Sequence, residues 1–188
     1  ARRVDRKEIT ERITADGSIL TPINLEEVEF AVCQLKNRGI KAVAICFLHG
    51  YLNPDHEMLA GEVVRRLMPD AFVSLSCEVL PEFREYERAS TTAVNAYVGP
   101  RMQDYLGRLE QKLVRNNIMT SPHIMHSTGG MVTVKTAARL PVRTCLSGPA
   151  AGVVGAATIA SSAGYNNILA FDVGGTSTDV SLVLGGQP

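Results

Sequence analysis

The fold is decided by residues 168–183, Ile-Leu-Ala-Phe-Asp-Val-Gly-Gly-Thr-Ser-Thr-Asp-Val-Ser-Leu-Val. An apolar run of strand length comes first and ends in two glycines. Three hydroxyl residues follow, and apolar residues then alternate at Val180 and Leu182. This order predicts two strands joined by a tight turn.

The turn of this hairpin carries residue types that suit a phosphate group. Gly174 and Gly175 have no Cβ, so main-chain amides there can approach an anion closely. Further donors are the hydroxyl groups of Thr176, Ser177 and Thr178. An ordinary hairpin, in which the two glycines serve only the geometry of the turn, is the alternative interpretation.

Two acidic residues flank the turn symmetrically. Asp172 and Asp179 are hard oxygen ligands, which could hold Mg²⁺ directly or through the water molecules that this ion tends to retain. The usual competing phosphate loops are absent, since the sequence has neither G-x-x-x-x-G-K-[ST] nor G-x-G-x-x-G between a strand and a helix.

Residues 172–179 resemble the phosphate hairpin of the actin/Hsp70/sugar-kinase superfamily. With residues 146–156, Leu-Ser-Gly-Pro-Ala-Ala-Gly-Val-Val-Gly-Ala, they resemble more specifically the hydantoinase A, 5-oxoprolinase and acetone carboxylase family. Segments 47–49, 53–57, 81–88 and 127–130 agree with that family. His126 stands where the family pattern has Gln, and Ala151 where Gly is frequent, so the subfamily stays open.

The resemblance implies a partial α/β fold of the actin/Hsp70/sugar-kinase (ribonuclease H-like) type and an ATP-dependent enzyme using Mg²⁺. It implies phosphorylation of a cyclic amide, such as a hydantoin or 5-oxoproline, followed by ring opening. The implied nucleotide-binding residues are Asp172, Gly174, Gly175, Thr176, Ser177, Thr178 and Asp179, with Asp172 and Asp179 as metal ligands. The alternatives are a non-catalytic nucleotide-sensing module and a subunit of an ATP-dependent ketone carboxylase.

Such enzymes have two related halves, and the hairpin here matches the second. The sequence lacks an initiator Met and leaves off just after an apolar strand, which is expected of an internal fragment, inactive on its own. We expect residues 1–120 to be the C-terminal part of the family's N-terminal domain, and residues 121–188 to begin the next domain. The resemblance also implies a hydantoinase B-type partner subunit or domain.

Local patterns predict alternating strands and helices, which favours parallel pairing. A Gly17 turn joins two short strands, and Gly99-Pro100 should kink or divide a long helix. Predicted strands cover 7–14, 18–23, 41–48 (covered on both faces), 71–76, 123–126 and 168–171, and predicted helices cover 24–39, 53–67, 90–115 and 147–163.

Other candidate sites have competing interpretations. The charges of residues 82–88 are typical of a solvated helix face, whereas the resemblance makes Glu85 and Arg88 cleft-facing catalytic candidates. The glycines of 147–155 favour close helix packing over phosphate binding. Residues 127–130 fit a ligand loop and a plain hairpin equally. Metal binding by the histidine pairs is disfavoured.

Composition limits the partners. With 19 basic and 19 acidic residues, the formal charge is zero, and no aromatic platform is evident, so nucleic acid is not expected. No apolar run is long enough to span a bilayer, and we expect a cytoplasmic protein with no membrane contact. The four cysteines sit mostly in apolar stretches and are expected to be small buried side chains.

Overall fold

The computed structural model describes residues 2–187, which form two compact units. Unit 1 extends to Asp104, and unit 2 begins at Tyr105. Both mix helices and strands, as predicted. The domain assignment with its boundary at residue 120 stays a prediction, because these units follow from contacts within the chain and do not mark the limits of family domains.

Unit 1 begins with a hairpin and continues with a parallel strand pair and its helices. After a 3₁₀ turn (Arg3–Asp5), its elements are β1 (Arg12–Ile13), β2 (Ile19–Thr21), α1 (Leu25–Asn37), β3 (Ala42–Ile45), α2 (Asp55–Leu67), β4 (Phe72–Leu75), α3 (Ser76–Val79) and the first part of α4 (Glu85–Arg115). The last part of α4, from Tyr105, belongs to unit 2. Strands β3 and β4 pair in parallel, with Ala42 opposite Phe72 and Ile45 opposite Leu75. The predicted hairpin, helices and parallel pairing are confirmed.

Local capping explains where the first two long helices of unit 1 begin. The Asn24 side chain accepts hydrogen bonds from the amides of Glu26 and Glu27 at 3.1 and 3.2 Å, and Gly39 follows α1 with φ of 69°. The Asn53 side chain accepts a hydrogen bond from the amide of Asp55, the first residue of α2, at 3.0 Å, while Pro54 occupies the N-cap position. The apolar faces of both helices cover the strand pair in one core, made of Val28, Val32, Leu35, Val43, Ile45, Ala60, Val63, Val64, Met68 and Leu75.

The first correction concerns β3, which ends at Ile45 and not at residue 48. Within unit 1, Val43 and Ile45 are buried while Ala44 is exposed, so the strand is covered on one face and not on both. Residues 46–48 leave the ladder because the main chain of Phe47 bonds instead to buried side chains of α2 and α4.

The second correction concerns α4, which begins at Glu85 and runs through Gly99-Pro100 without division. A Cβ at residue 99 would lie 2.4 Å from the ring of Phe72, so the glycine lets the helix lie directly on that ring. Ala96 and Leu106, on either side of the proline, are buried. Tertiary packing therefore outweighs the missing proline hydrogen bond.

Unit 2 contains two hairpins around one long helix. Its further elements are β5 (His123–Met125), β6 (Met131–Thr133), α5 (Val134–Arg139), a 3₁₀ turn (Pro141–Thr144), α6 (Ser147–Ser162), β7 (Ile168–Val173) and β8 (Thr178–Val183). Helix α6 packs against β7 and β8, and Val183 is buried on that side. The predicted strand at 123–126, the helix at 147–163 and the 168–183 hairpin are confirmed. The apolar run 168–171 also predicts a buried strand, and this is wrong for the described chain, where Leu169 and Phe171 are 60% and 65% exposed.

The cysteines differ from expectation. All four are free thiols; Cys33 and Cys145 are exposed, and Cys46 and Cys77 are partly buried. The prediction that they are buried side chains is therefore wrong for two of them. Within residues 2–187 no helix combines the length and the apolar character needed to cross a membrane.

The close contact at Gly99 gives a matched pair of substitutions in one helix. We expect Gly99→Ala to lower the free energy of unfolding by about 1–3 kcal/mol, because the new methyl group overlaps the Phe72 ring. Gly107→Ala meets open space and should raise the free energy of unfolding by about 0.5–1 kcal/mol through helix propensity. Urea unfolding of both variants measures the difference, and equal effects of one sign would contradict the packing.

Candidate functional site

The register of the β7–β8 hairpin places two carboxylates side by side. Asp172 lies directly opposite Asp179, and both residues are exposed. Opposite residues of an antiparallel pair have Cβ atoms about 5 Å apart, and like charges at that spacing destabilise a hairpin. A cation between them removes the repulsion, so the pair suits a divalent metal ion.

The turn between these strands presents hydrogen-bond donors. The amide of Gly174 donates to the carbonyl of Ser177 at 2.9 Å and so closes the turn. Within residues 2–187 the amides of Gly175, Thr176 and Ser177 make no hydrogen bond. Successive free amides at a turn form a concave site for an anion.

The hydroxyl groups add to this set of donors. Those of Thr176, Ser177 and Thr178 form no hydrogen bond with any residue of the described chain, and all three residues are exposed. Among turn residues 174–177, Gly174 is the one whose amide forms a hydrogen bond within residues 2–187. The hairpin therefore combines donors for an anion with carboxylates for a cation.

Helix α6 follows Leu146, which has φ of 60°, and no side chain caps its first turn. A Cβ at Gly148, Gly152 or Gly155 would meet no atom within 4 Å. Within residues 2–187 these glycines therefore do not pack closely against another element, contrary to the prediction.

The hairpin loop after β5 uses its main-chain donors internally. The amide of Ser127 donates to the carbonyl of Arg143 at 2.8 Å, and that of Thr128 donates to Nδ1 of His126 at 3.1 Å. The amide of Gly129 donates to the carbonyl of His126. A structural hairpin is therefore favoured over a phosphate loop here.

The histidine pairs are further candidate metal ligands. His56 Nδ1 lies 2.9 Å from Glu11 Oε2, where both side chains are buried, and His123 is exposed. No group of three His, Cys, Asp or Glu side chains suited to a metal ion occurs in the part of the chain that the structure describes.

Arg88 corrects the interpretation of residues 82–88. Glu85 is exposed, and Arg84 and Glu87 form a surface ion pair of 3.3 Å, as on a solvated helix face. Arg88, however, is 0% exposed, so it does not belong to a solvated face. A catalytic role for Glu85 or Arg88 stays a prediction. Its Nη2 donates to the carbonyl of Phe47 at 2.6 Å and its Nη1 to that of Glu82 at 3.0 Å.

A second buried charge, Glu57, was not predicted from the sequence. It is 0% exposed, and its Oε1 accepts hydrogen bonds from the amide of Phe47 at 2.9 Å and the hydroxyl of Ser76 at 2.5 Å. Its Oε2 accepts the amide of Cys77 at 2.8 Å. A signal was present, because Glu57 lies in the apolar stripe of α2, three residues before Ala60 and seven before Val64.

Comparisons with known proteins agree with these features. The family model described as "Hydantoinase/oxoprolinase" matches residues 88–188, and "Hydantoinase/oxoprolinase N-terminal region" matches residues 1–68. The chain belongs to the hydantoinase/oxoprolinase family. The matched residues include the hairpin that carries Asp172 and Asp179.

The hydantoinase/oxoprolinase chain is similar to several named relatives. Caprolactamase subunit alpha from Pseudomonas jessenii is 35% identical over 97% of the chain, and 5-oxoprolinase from Saccharomyces cerevisiae is 39% identical over 76%. The crystal structure of the ATP-dependent caprolactamase superposes with a TM-score of 0.80 at 34% identity, over 94% of the chain. A nucleotide-free acetone carboxylase structure gives 0.83 at 27% identity, over 95% of the chain.

The chain spans a minor part of these relatives. It covers 26% of the length of caprolactamase subunit alpha, of the caprolactamase structure and of the acetone carboxylase structure, and 11% of 5-oxoprolinase. The activity of the whole hydantoinase/oxoprolinase protein is therefore a matter for proposal.

Glu57 also leads to a prediction about thiol reactivity. Partial burial, and then the charge of Glu57, raise the pKa of the Cys77 thiol to about 12. At pH 8 we therefore expect iodoacetamide to modify Cys33 and Cys145 well before Cys77, because the thiolate is the reactive form. Mass spectrometry of the alkylated protein measures the order, and in urea all four thiols should react alike.

The same shift predicts the direction of a stability change. The folded protein holds the Cys77 proton more tightly than the unfolded chain, in which the pKa is near 9.0. This contribution to stability is complete below pH 9 and declines as pH rises toward 12. Cys77→Ser should flatten that decline, whereas an unchanged profile would contradict the burial of the thiol.

Proposed function

We propose that the chain supplies one phosphate-binding hairpin of an actin-like, ATP-dependent enzyme that activates a cyclic amide. The supporting observation is the tip of the β7–β8 hairpin, where Asp172 and Asp179 flank three free amides and three free hydroxyl groups. Few other arrangements bring donors for phosphate and ligands for a cation to one turn.

Each set of residues has a separate task in this proposal. The amides of Gly175, Thr176 and Ser177 and the neighbouring hydroxyl groups bind phosphate oxygens of ATP. Asp172 and Asp179 hold Mg²⁺, directly or through water. When bound, Mg²⁺ neutralises charge on the phosphates and so favours phosphoryl transfer. Gly174 keeps the turn closed, which fixes the direction of the free amides.

The substrate class follows from the chemistry that phosphate makes possible. Transfer of the terminal phosphoryl group of ATP to an amide oxygen releases ADP and turns that oxygen into a good leaving group. Water then attacks the carbon, and the ring C–N bond opens to give an amine and an acyl phosphate. A second water molecule hydrolyses the acyl phosphate to a carboxylate and inorganic phosphate. The names of two relatives, caprolactamase and 5-oxoprolinase, support a cyclic amide as substrate.

A partner subunit belongs to the same proposal. The relative from Pseudomonas jessenii is named as subunit alpha of its enzyme, which supports a complementary hydantoinase B-type subunit or domain for the protein that contains this chain. Phosphoryl transfer needs donors on both sides of the nucleotide, so this chain alone should be inactive.

One alternative has specific support. The similarity to acetone carboxylase, with a TM-score of 0.83, favours a ketone carboxylase subunit as the second candidate. In that case the phosphorylated oxygen belongs to a ketone. A nucleotide-sensing module would bind ATP without substrate-dependent turnover.

ATP hydrolysis by the full-length protein with its partner subunit tests the proposal. We expect hydrolysis to rise in the presence of one of 5-oxoproline, hydantoin, caprolactam or acetone, and the substrate that stimulates it separates the two enzyme classes. Asp179→Asn should lower kcat by about 100-fold or more, since it removes a carboxylate from the phosphate site.

Asp70→Asn is the matched control, because Asp70 is exposed on unit 1, far along the chain from the hairpin. This variant should keep the wild-type rate. Equal rates in wild type and Asp179→Asn would contradict a phosphate role for the hairpin, and hydrolysis that no substrate stimulates would favour the sensing module.

A further inference from the structure

The carboxyl ends of strands β3 and β4 meet at one buried carboxylate. Phe47 comes two residues after β3, and Ser76 and Cys77 directly follow β4. Glu57 of α2 accepts hydrogen bonds from all three of these residues. In open α/β sheets, ligands bind outside the carboxyl ends of parallel strands.

The loop of residues 47–51, here named the Phe47 loop, is held from two sides. Glu57 accepts from the amide of Phe47, and Arg88 donates to its carbonyl at 2.6 Å. Both charged side chains are 0% exposed. A Cβ at Gly50 would lie 2.5 Å from Glu57 Oε1, so only glycine fits beside the carboxylate.

This clamp imposes an unusual conformation on His49. Its φ of 60° lies in the left-handed region of backbone conformation, which residues other than glycine rarely adopt. Strain of this kind persists only where surrounding contacts determine the backbone, and it concentrates at functional sites. The His49 ring is half-buried and lies beside Tyr51, with ring centroids 6.1 Å apart.

The unused hydrogen-bonding capacity of the loop identifies the kind of ligand. Among residues 2–187, two buried side-chain atoms lack a hydrogen-bond partner, and both belong to this cluster: Nδ1 of His49 and Nε of Arg88. The guanidinium carbon of Arg88 lies 5.3 Å from the centroid of the Tyr51 ring. The Tyr51 hydroxyl has no partner in the described chain either.

Most of the polar groups in this cluster that lack a hydrogen-bond partner are donors. Arg88 Nε–H and the Tyr51 hydroxyl can each donate, while Glu57 already accepts three hydrogen bonds. Nδ1 of His49 is the second buried atom of this cluster without a partner. An N–H and an O–H group without acceptors suit a ligand that accepts hydrogen bonds.

We propose that the Phe47 loop is an oxyanion-binding site, in which His49 and Tyr51 contact a carboxylate or phosphate group. Glu57 and Arg88 are positioning residues, which act through the peptide groups of the loop. Arg88 also places a positive charge behind the Tyr51 ring. This site is carried by unit 1 alone and does not depend on the proposed role of the β7–β8 hairpin.

Histidine NMR of the full-length protein, labelled with ¹³C-histidine, tests this site. The signal that disappears in His49→Gln identifies His49. At constant ionic strength, titration with acetate or inorganic phosphate should shift this signal to saturation, whereas the neutral isostere acetamide should not. Tighter binding of acetate identifies a carboxylate ligand, and tighter binding of phosphate identifies a phosphorylated one.

Two variants test the contact and the positioning roles. Tyr51→Phe removes only the hydroxyl donor. Arg88→Lys keeps the charge but loses the pair of hydrogen bonds to the carbonyls of Phe47 and Glu82. Tyr51→Phe should weaken the anion affinity about tenfold, as expected for loss of a hydrogen bond to a charged group. Arg88→Lys should weaken it by a similar factor, because the loop that carries His49 and Tyr51 is then held less firmly. Arg88→Gln should weaken it further, so that Lys partly rescues Gln.

Two controls separate a local effect from a loss of stability. Tyr97→Phe alters a tyrosine that is 76% exposed, and Gly99→Ala destabilises unit 1 without touching the Phe47 loop. Both should keep wild-type affinity. The proposal is overturned if neither anion shifts the His49 signal, or if Gly99→Ala weakens binding as much as Arg88→Lys.

Discussion

The antiparallel register of β7 and β8 is the constraint on which the candidate site depends. It sets Asp172 against Asp179 and leaves a short turn closed by the amide of Gly174. Two exposed carboxylates at this distance lower the stability of a hairpin, and free amides at its tip add nothing to it. An arrangement that is unfavourable for folding, yet specific in geometry, is understandable if Mg²⁺ and phosphate satisfy both sets of groups at once.

Unit 1 buries two charged side chains, Glu57 and Arg88. Glu57 and Arg88 are both removed from water, and the unit compensates each with hydrogen bonds to main-chain groups and one hydroxyl. Both bind the same residue, Phe47, one at its amide and the other at its carbonyl. Burying ionic groups is costly, so such a network fixes one conformation of a loop more than it adds stability. The left-handed backbone of His49 is a consequence of that fixation.

Local physics accounts for the features that the sequence predicted well. Asn24 caps α1 through amides two and three residues away, Asn53 accepts from the first amide of α2, and Gly17 and Gly39 adopt positive φ where a turn and a helix end require it. The β7–β8 hairpin was predictable for the same reason, since its strands and turn are contiguous. Its residues also carried the family resemblance, and with it the candidate phosphate site.

Long-range contacts account for the errors. The end of β3 depends on two hydrogen bonds of Phe47, whose amide donates to Glu57 and whose carbonyl accepts from Arg88, 10 and 41 residues away. The continuity of α4 across Pro100 depends on packing of Gly99 against Phe72. No periodicity in the sequence reveals these pairings, and alternating charges in 82–88 suggested a solvated face where one arginine is buried.

The central claim is that the β7–β8 hairpin binds the phosphates of a magnesium nucleotide. The most direct measurement is the equilibrium affinity of the full-length protein for a non-hydrolysable ATP analogue, with and without Mg²⁺, in wild type and in the Asp172→Asn, Asp179→Asn double variant. We expect Mg²⁺ to tighten binding in the wild type and to have little effect in the double variant. An undiminished effect of Mg²⁺ in the double variant would contradict binding of the magnesium nucleotide by this hairpin.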